Sequence, residues 1–183
     1  GIFQHTEEIK GLFNDKEILY PSAGIFTEEI DGKIFILSVL EGGAGEKAGL
    51  LKGDEIISVD GSPFLPVKSF LDKEEVKMEI KRSETEETFE ATLAPESINP
   101  SEEFLRAEKE SIKIFEVEGK KIGYIHIWSF AGDEYYEEFL DAVQGDLKDA
   151  DSLILDLRDG WGGAVPEYLN VFNKDIPRVD MIE

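Results

Sequence analysis

Two glycines at the end of an apolar run are the residues of this sequence best placed to do chemistry. Gly162 and Gly163 close the stretch Leu153-Ile154-Leu155-Asp156-Leu157-Arg158-Asp159-Gly160-Trp161-Gly162-Gly163. A buried strand that ends in a glycine-rich turn ahead of a helix offers unpaired backbone N–H groups, and such groups stabilise the oxyanion of an acyl-transfer intermediate. In isolation a glycine pair is more often an ordinary turn, so its surroundings decide. Side-chain chemistry around it is sparse. There are no cysteines, which excludes disulfides, thiolate catalysis and Cys-based zinc sites within this sequence. Of the two histidines, His5 lies near the N-terminus, and His126 shares a strand face with Tyr124 and Trp128, the setting of a packed structural histidine. No G-x-S-x-G elbow, S-x-x-K pair or H-E-x-x-H helix is present. No metal site and no cofactor are expected.

The elements that must position these glycines follow from periodicity. Ile9, Leu12, Phe13 and Ile18 suggest a lead-in helix over the first 19 residues. Residues 20–95 read as a unit of short strands. Gly24–Ile30 and Lys33–Leu40 flank Asp31-Gly32, a hairpin dipeptide. Glu46–Gly49 is one helical turn closed by glycine, and Glu55–Val59 is a strand ended by Asp60-Gly61. Val67–Asp72 predicts a short helix. Glu75–Lys81 and Thr88–Leu93 alternate as half-buried strands across the polar turn 83–87. Pro95 to Pro100 breaks the pattern and marks a boundary.

Residues 96–183 carry a different pattern. Glu102–Glu110 suggests an acidic linker helix. Ile112–Phe115 and Ile122–Trp128 form a hairpin about Gly119. Tyr135, Tyr136, Phe139, Leu140, Val143 and Leu147 give a helix opening at Asp133. Ser152–Leu157 is a continuous apolar run, as in a strand buried on both faces of a largely parallel sheet, and Val165–Phe172 predicts a helix after the glycines. Strand, helix, strand, turn, helix is an α/β arrangement.

Composition bounds the function. With 41% hydrophobic residues, 12 Phe and 5 Tyr, the chain can fill a core. The net charge of −22 disfavours nucleic acid and anionic membrane surfaces as partners. Ten basic and 20 acidic residues lie up to Pro95, against 9 and 21 after it, so the acidity is spread evenly, as on a solvated surface. No apolar run approaches the roughly 18 residues of a membrane span, so no membrane insertion is expected. No signal peptide is visible at Gly1–His5.

The stretch Glu46–Gly61, E-K-A-G-L-L-K-G-D-E-I-I-S-V-D-G, resembles the most recognisable part of PDZ domains, A-G-L-x-x-G-D-x-I-x-x-V-D-G. The resemblance implies a small β-barrel or sandwich that binds peptides. Ser22-Ala23-Gly24-Ile25-Phe26 then occupies the place of the loop that holds a terminal carboxylate. Ala23, Gly24, Ile25 and Phe26 are the implied peptide-binding residues, and Val67–Leu71 the implied wall of the specificity pocket. Amides around a glycine form an anion nest, and a free strand edge accepts an extended peptide.

Gly123-Tyr124-Ile125-His126-Ile127-Trp128-Ser129-Phe130, followed after a helix by Leu153–Gly163, resembles the C-terminal processing peptidases, or tail-specific proteases. In that family G-Y-I-x-I-x-S-F and L-I-L-D-L-R-x-x-x-G-G follow a PDZ domain. Asp159, Gly160 and Trp161 depart from the family's usual R-G-N-P-G-G. The resemblance implies a partial α/β, crotonase-like core from residue 96 onward. It implies an oxyanion hole formed in part by the amide of Gly162 or Gly163, and a turn held by Asp156 and Arg158. It places the Ser nucleophile and Lys base beyond residue 183, so the chain alone is expected to be inactive. The implied partner is a peptide or unfolded-protein substrate bound by its free C-terminus, and the implied location is the cell envelope or outside the cell. The alternative is a non-catalytic peptide-binding module or pseudo-peptidase.

Overall fold

The computed structural model describes residues 19–82, 88–163 and 166–172. The expected lead-in helix, His5 and the turn 83–87 lie outside the described residues. The chain divides into two compact units, Gly1–Arg106 and Ala107–Glu183.

The first unit is built on a five-stranded antiparallel sheet in the order β2-β3-β4-β5-β6. Its strands are β2 (Ile25–Ile30), β3 (Lys33–Val39), β4 (Glu55–Val59), β5 (Val76–Lys81) and β6 (Phe89–Leu93). Asp31 and Gly32, both with φ near the left-handed region (51° and 76°), close the β2–β3 hairpin as the sequence predicts. The alternation in β5 buries Val76, Met78 and Ile80 almost completely, and these residues join Ile36, Leu50, Ile56 and Phe70 in one apolar cluster. Burying each such side chain contributes about 1.5–3 kcal/mol. One turn of helix, α1 (Ala44–Lys47), follows β3. It leads into Asp54, which is 1% exposed and accepts a forked pair of bonds from Arg82 Nε and Nη2, both 2.9 Å.

Three expectations change. Val67–Asp72 is a series of turns and not a helix; Val67 and Asp72, at its two ends, have φ of 64° and 57°, outside the helical region. The proline-bounded stretch after residue 95 contains a strand. In it β7 (Glu96–Ile98) pairs antiparallel with β1 (Tyr20–Ser22). Finally, the chain after the glycine pair takes a 3-10 turn over Pro166–Val171.

Helix α2 (Pro100–Ser111) starts where the acidic segment was expected to be helical. Asn99 caps it, its Oδ1 accepting from Ser101 N–H at 2.9 Å. The second unit has a three-stranded sheet in the order β10-β9-β8. Here β8 (Lys113–Val117) and β9 (Lys120–His126) form the expected hairpin. The chain crosses through α3 (Asp133–Gln144) to β10 (Ser152–Asp156), which pairs parallel with β9. Tyr135, Phe139 and Ala142 of α3 are buried. β10 differs from the sequence expectation: among the described residues it is the outermost strand of its sheet, and Ile154 is 45% exposed, so its face is not covered.

Candidate functional site

The residues expected to form a carboxylate loop, Ala23–Phe26, sit at the start of β2, which ends its sheet and carries no further strand on its outer edge among the described residues. Ala23 and Gly24 are buried. Ile25 packs on the apolar cluster, whereas the Phe26 ring lies 5.8 Å from that of Phe104 on α2. Successive strand side chains point to opposite faces, so Ile25 and Phe26 do not line one pocket.

The loop is clamped by backbone. Gly45 N–H donates to Ala23 O at 2.6 Å and Leu40 N–H to Gly24 O at 2.8 Å. Gly24 has φ of 68°, and a Cβ there would meet Gly43 Cα at 3.0 Å. At Gly45 an added Cβ would sit 2.9 Å from Ala23 O. Gly43 and Gly45 thus let two backbone segments touch.

A link between the loop and α2 escaped the sequence reading. Ser22 Oγ accepts from Gly24 N–H at 2.9 Å and donates to Glu103 Oε1 at 2.5 Å. The Tyr20 hydroxyl donates to the other Glu103 oxygen. Glu103 is 2% exposed; burial raises its carboxyl above the usual carboxylate range, and the two hydroxyl donors oppose that rise. Ser22 and Glu103 stand 81 positions apart, and no local pattern links them.

In the second unit the strand ends deliver the turn to Gly163. Asp156 accepts from Arg158 Nη2 at 2.5 Å, from Arg158 Nε at 2.9 Å, and from Arg158 N–H at 3.0 Å. The Tyr124 hydroxyl adds a bond of 2.8 Å. The Arg158 guanidinium holds the Asp156 carboxyl well below the usual carboxylate range. His126 is buried, its ring 4.1 Å from that of Trp128. Its Nε2 lies 2.8 Å from Arg158 O; a carbonyl only accepts, so Nε2 carries the proton. His126 therefore fixes the turn and is not placed as a base.

Beyond Arg158 the turn is laid against the chain following β9. Trp161 N–H donates to Trp128 O at 2.9 Å and Phe130 N–H to Gly162 O at 2.7 Å. Gly162 and Gly163 have φ of 75° and 99° and are exposed. No acceptor among the described residues takes either N–H. Two adjacent N–H groups of exposed glycines on an anchored backbone can hold an anion or a developing oxyanion. Among the described residues no group of His, Asp or Glu is arranged to hold a metal ion, and no helix is long and apolar enough to cross a membrane.

Family models match both units. The PDZ domain covers residues 15–89 and peptidase family S41 covers residues 121–181. The carboxy-terminal processing protease CtpB of Bacillus subtilis (strain 168) is 32% identical along the whole of this chain. The chain thus carries a PDZ domain and part of a peptidase family S41 domain, in the regions those models match, and is similar to a C-terminal processing protease. It spans 39% of the length of that relative. Solved structures of the S41 fold agree. A putative S41 protease from Bacteroides fragilis NCTC 9343 matches with a TM-score of 0.52 at 22% identity, over 81% of this chain and 43% of its own. The photosystem II D1 C-terminal processing protease matches with a TM-score of 0.54 at 19% identity, over 90% of this chain and 46% of its own. The chain thus has the fold class expected, a PDZ-like α+β domain followed by part of an α/β core.

Proposed function

We propose that this chain is the substrate-binding portion of a C-terminal processing serine endopeptidase. The PDZ unit takes the free C-terminus of a peptide or unfolded protein at Ala23–Phe26, adding it to the open edge of β2. The core unit supplies part of an oxyanion hole from the amides of Gly162 and Gly163. A Ser nucleophile, deprotonated by a neutral Lys, comes from the polypeptide after residue 183 and attacks the scissile carbonyl.

The observation that carries this reading is the anchored turn. Asp156, Arg158 and His126 fix its first half, and the N–H groups of the exposed glycines at its end have no acceptor among the described residues. A donor held in advance stabilises charge as it forms and costs no reorganisation then; removing one such donor slows acyl transfer by about 10²–10³-fold. The relatives' greater length supports a nucleophile supplied from elsewhere in the polypeptide.

The test is a fluorophosphonate probe applied to the natural polypeptide and, in parallel, to the 183-residue chain, with the adduct mapped by mass spectrometry. One labelled serine after Glu183, lost on denaturation and absent from the short chain, is the expected result. A folded natural polypeptide that takes no label would replace this reading with a peptide-binding pseudo-peptidase.

A further inference from the structure

The loop expected to receive a peptide carboxylate already has an occupant at its central amide. Gly24 N–H donates to Ser22 Oγ at 2.9 Å, and an N–H has one proton to give. The Ser22 hydroxyl proton is committed to Glu103 Oε1 at 2.5 Å. Its lone pairs are thereby left for Gly24, and donation to an acidic group polarises the hydroxyl into a better acceptor. The Tyr20 hydroxyl holds the second Glu103 oxygen, and Arg106 Nη2 stands 4.0 Å from Glu103 Oε1. Its two central members are buried: Ser22 is 7% exposed and Glu103 2%.

We propose that Ser22 and Glu103 set how strongly the peptide site selects a terminal carboxylate, the Ser22 hydroxyl acting as a built-in competitor for the Gly24 N–H. The inference rests on the reading of Ala23–Phe26 as the peptide-binding loop. A carboxylate is the stronger acceptor, since its hydrogen bonds are charge-assisted. To use Gly24 it must displace Ser22 and so lose the Ser22–Gly24 bond. It must also settle one hydroxyl away from an acidic side chain, which disfavours a second anion. Both effects lower the advantage of a free carboxylate over an amide. Ser22 and Glu103 are therefore specificity-determining positions, with Ser22 the direct competitor and Glu103 the residue that positions it.

The test compares the 183-residue chain with its Ser22→Ala and Glu103→Gln variants. The probe is a fluorescein-labelled octapeptide ending in Ala-Val, prepared as the free acid and as the C-terminal amide, with binding read by anisotropy. Ser22→Ala should tighten the free acid about three- to tenfold, the worth of one hydrogen bond no longer opposed, and move the amide less than about twofold. Glu103→Gln removes the acid and leaves one carbonyl oxygen as acceptor where the carboxylate had two, so it should raise the acid-to-amide ratio about twofold by the same arithmetic. Hydrogen exchange at the Gly24 amide should accelerate in Ser22→Ala, a change that loss of a mere packing contact elsewhere would not produce. A ratio unchanged or lowered in both variants, with the unmodified chain still preferring the free acid, overturns the inference and leaves the peptide site standing. Folded proteins that all fail to bind either peptide overturn both.

Discussion

Glu108 is a residue that the proposed chemistry does not use and that the fold handles at a cost. Its side chain is fully buried, and neither carboxyl oxygen has a hydrogen-bond partner. Burial, with the Glu138 carboxylate adding to it, pushes its pKa up to about 9. An acid whose pKa is higher in the folded state binds its proton more tightly there. Stability is therefore greatest below the unfolded value near 4.5 and declines as pH rises from there toward about 9. Glu108→Gln replaces the protonated acid by a neutral group of the same shape. The variant should match the parent at pH 4.5 and exceed it by about 1–3 kcal/mol at pH 8, measured by urea unfolding at both values. Equal stabilities at pH 8 would mean the carboxyl is ionised and solvated in the fold. Nothing local in Ala107-Glu108-Lys109-Glu110 marks Glu108 as the buried member, because on an acidic helix every Glu reads as solvated. Glu103 was hidden for the same reason. By contrast Asp156 and Arg158 were legible, since they sit inside a motif whose turn needs acceptor and donor two residues apart.

Among the elements, the turn from Asp156 to Gly163 shows how two glycines alike in sequence differ in what they do. Both have positive φ, but a Cβ at Gly162 meets nothing within 4 Å, while one at Gly163 would lie 2.7 Å from the Phe130 carbonyl carbon and 2.8 Å from Ala131 N. Gly162→Ala therefore bears only the backbone cost, about 1–2 kcal/mol. Gly163→Ala adds a clash with backbone that cannot rotate away, and should cost about 3 kcal/mol or more. Urea midpoints of the two variants give the order directly, and Gly162→Ala as the more damaging change would show that the turn is seated differently. The hairpins at Asp31-Gly32 and Glu118-Gly119 were readable because a dipeptide fixes them. β7 was not: its three residues pair with Tyr20–Ser22 across the whole first unit, and nothing in a proline-flanked E-S-I announces a distant partner. The five-residue β10 read as a doubly covered strand because its apolar run carries no information about which neighbour strand the sheet holds.

For the whole molecule, charge is the property the sequence states most fully and the fold alters least. Forty-one acidic residues against 19 basic ones give a negative field that acts on any charged peptide before contact is made. Neither unit offsets the other, since both carry about twice as many acidic as basic residues. On the proposed reading, a terminal carboxylate reaches the loop at Gly24 against this long-range repulsion. Positive side chains upstream of that carboxylate should compensate. Two octapeptides sharing the terminal Ala-Val, one with three Lys and one with three Glu in its first half, should differ in affinity by about tenfold at 20 mM salt, the Lys peptide binding tighter. At 500 mM salt the screening length shrinks to a few ångströms and the gap should fall to about twofold or less. A gap that survives high salt would point to a specific acidic contact beside the loop, one that the even spread of charge along the chain gives no reason to expect. A gap absent at low salt would mean that the binding edge is shielded from the field, and that short-range hydrogen bonds alone choose the substrate.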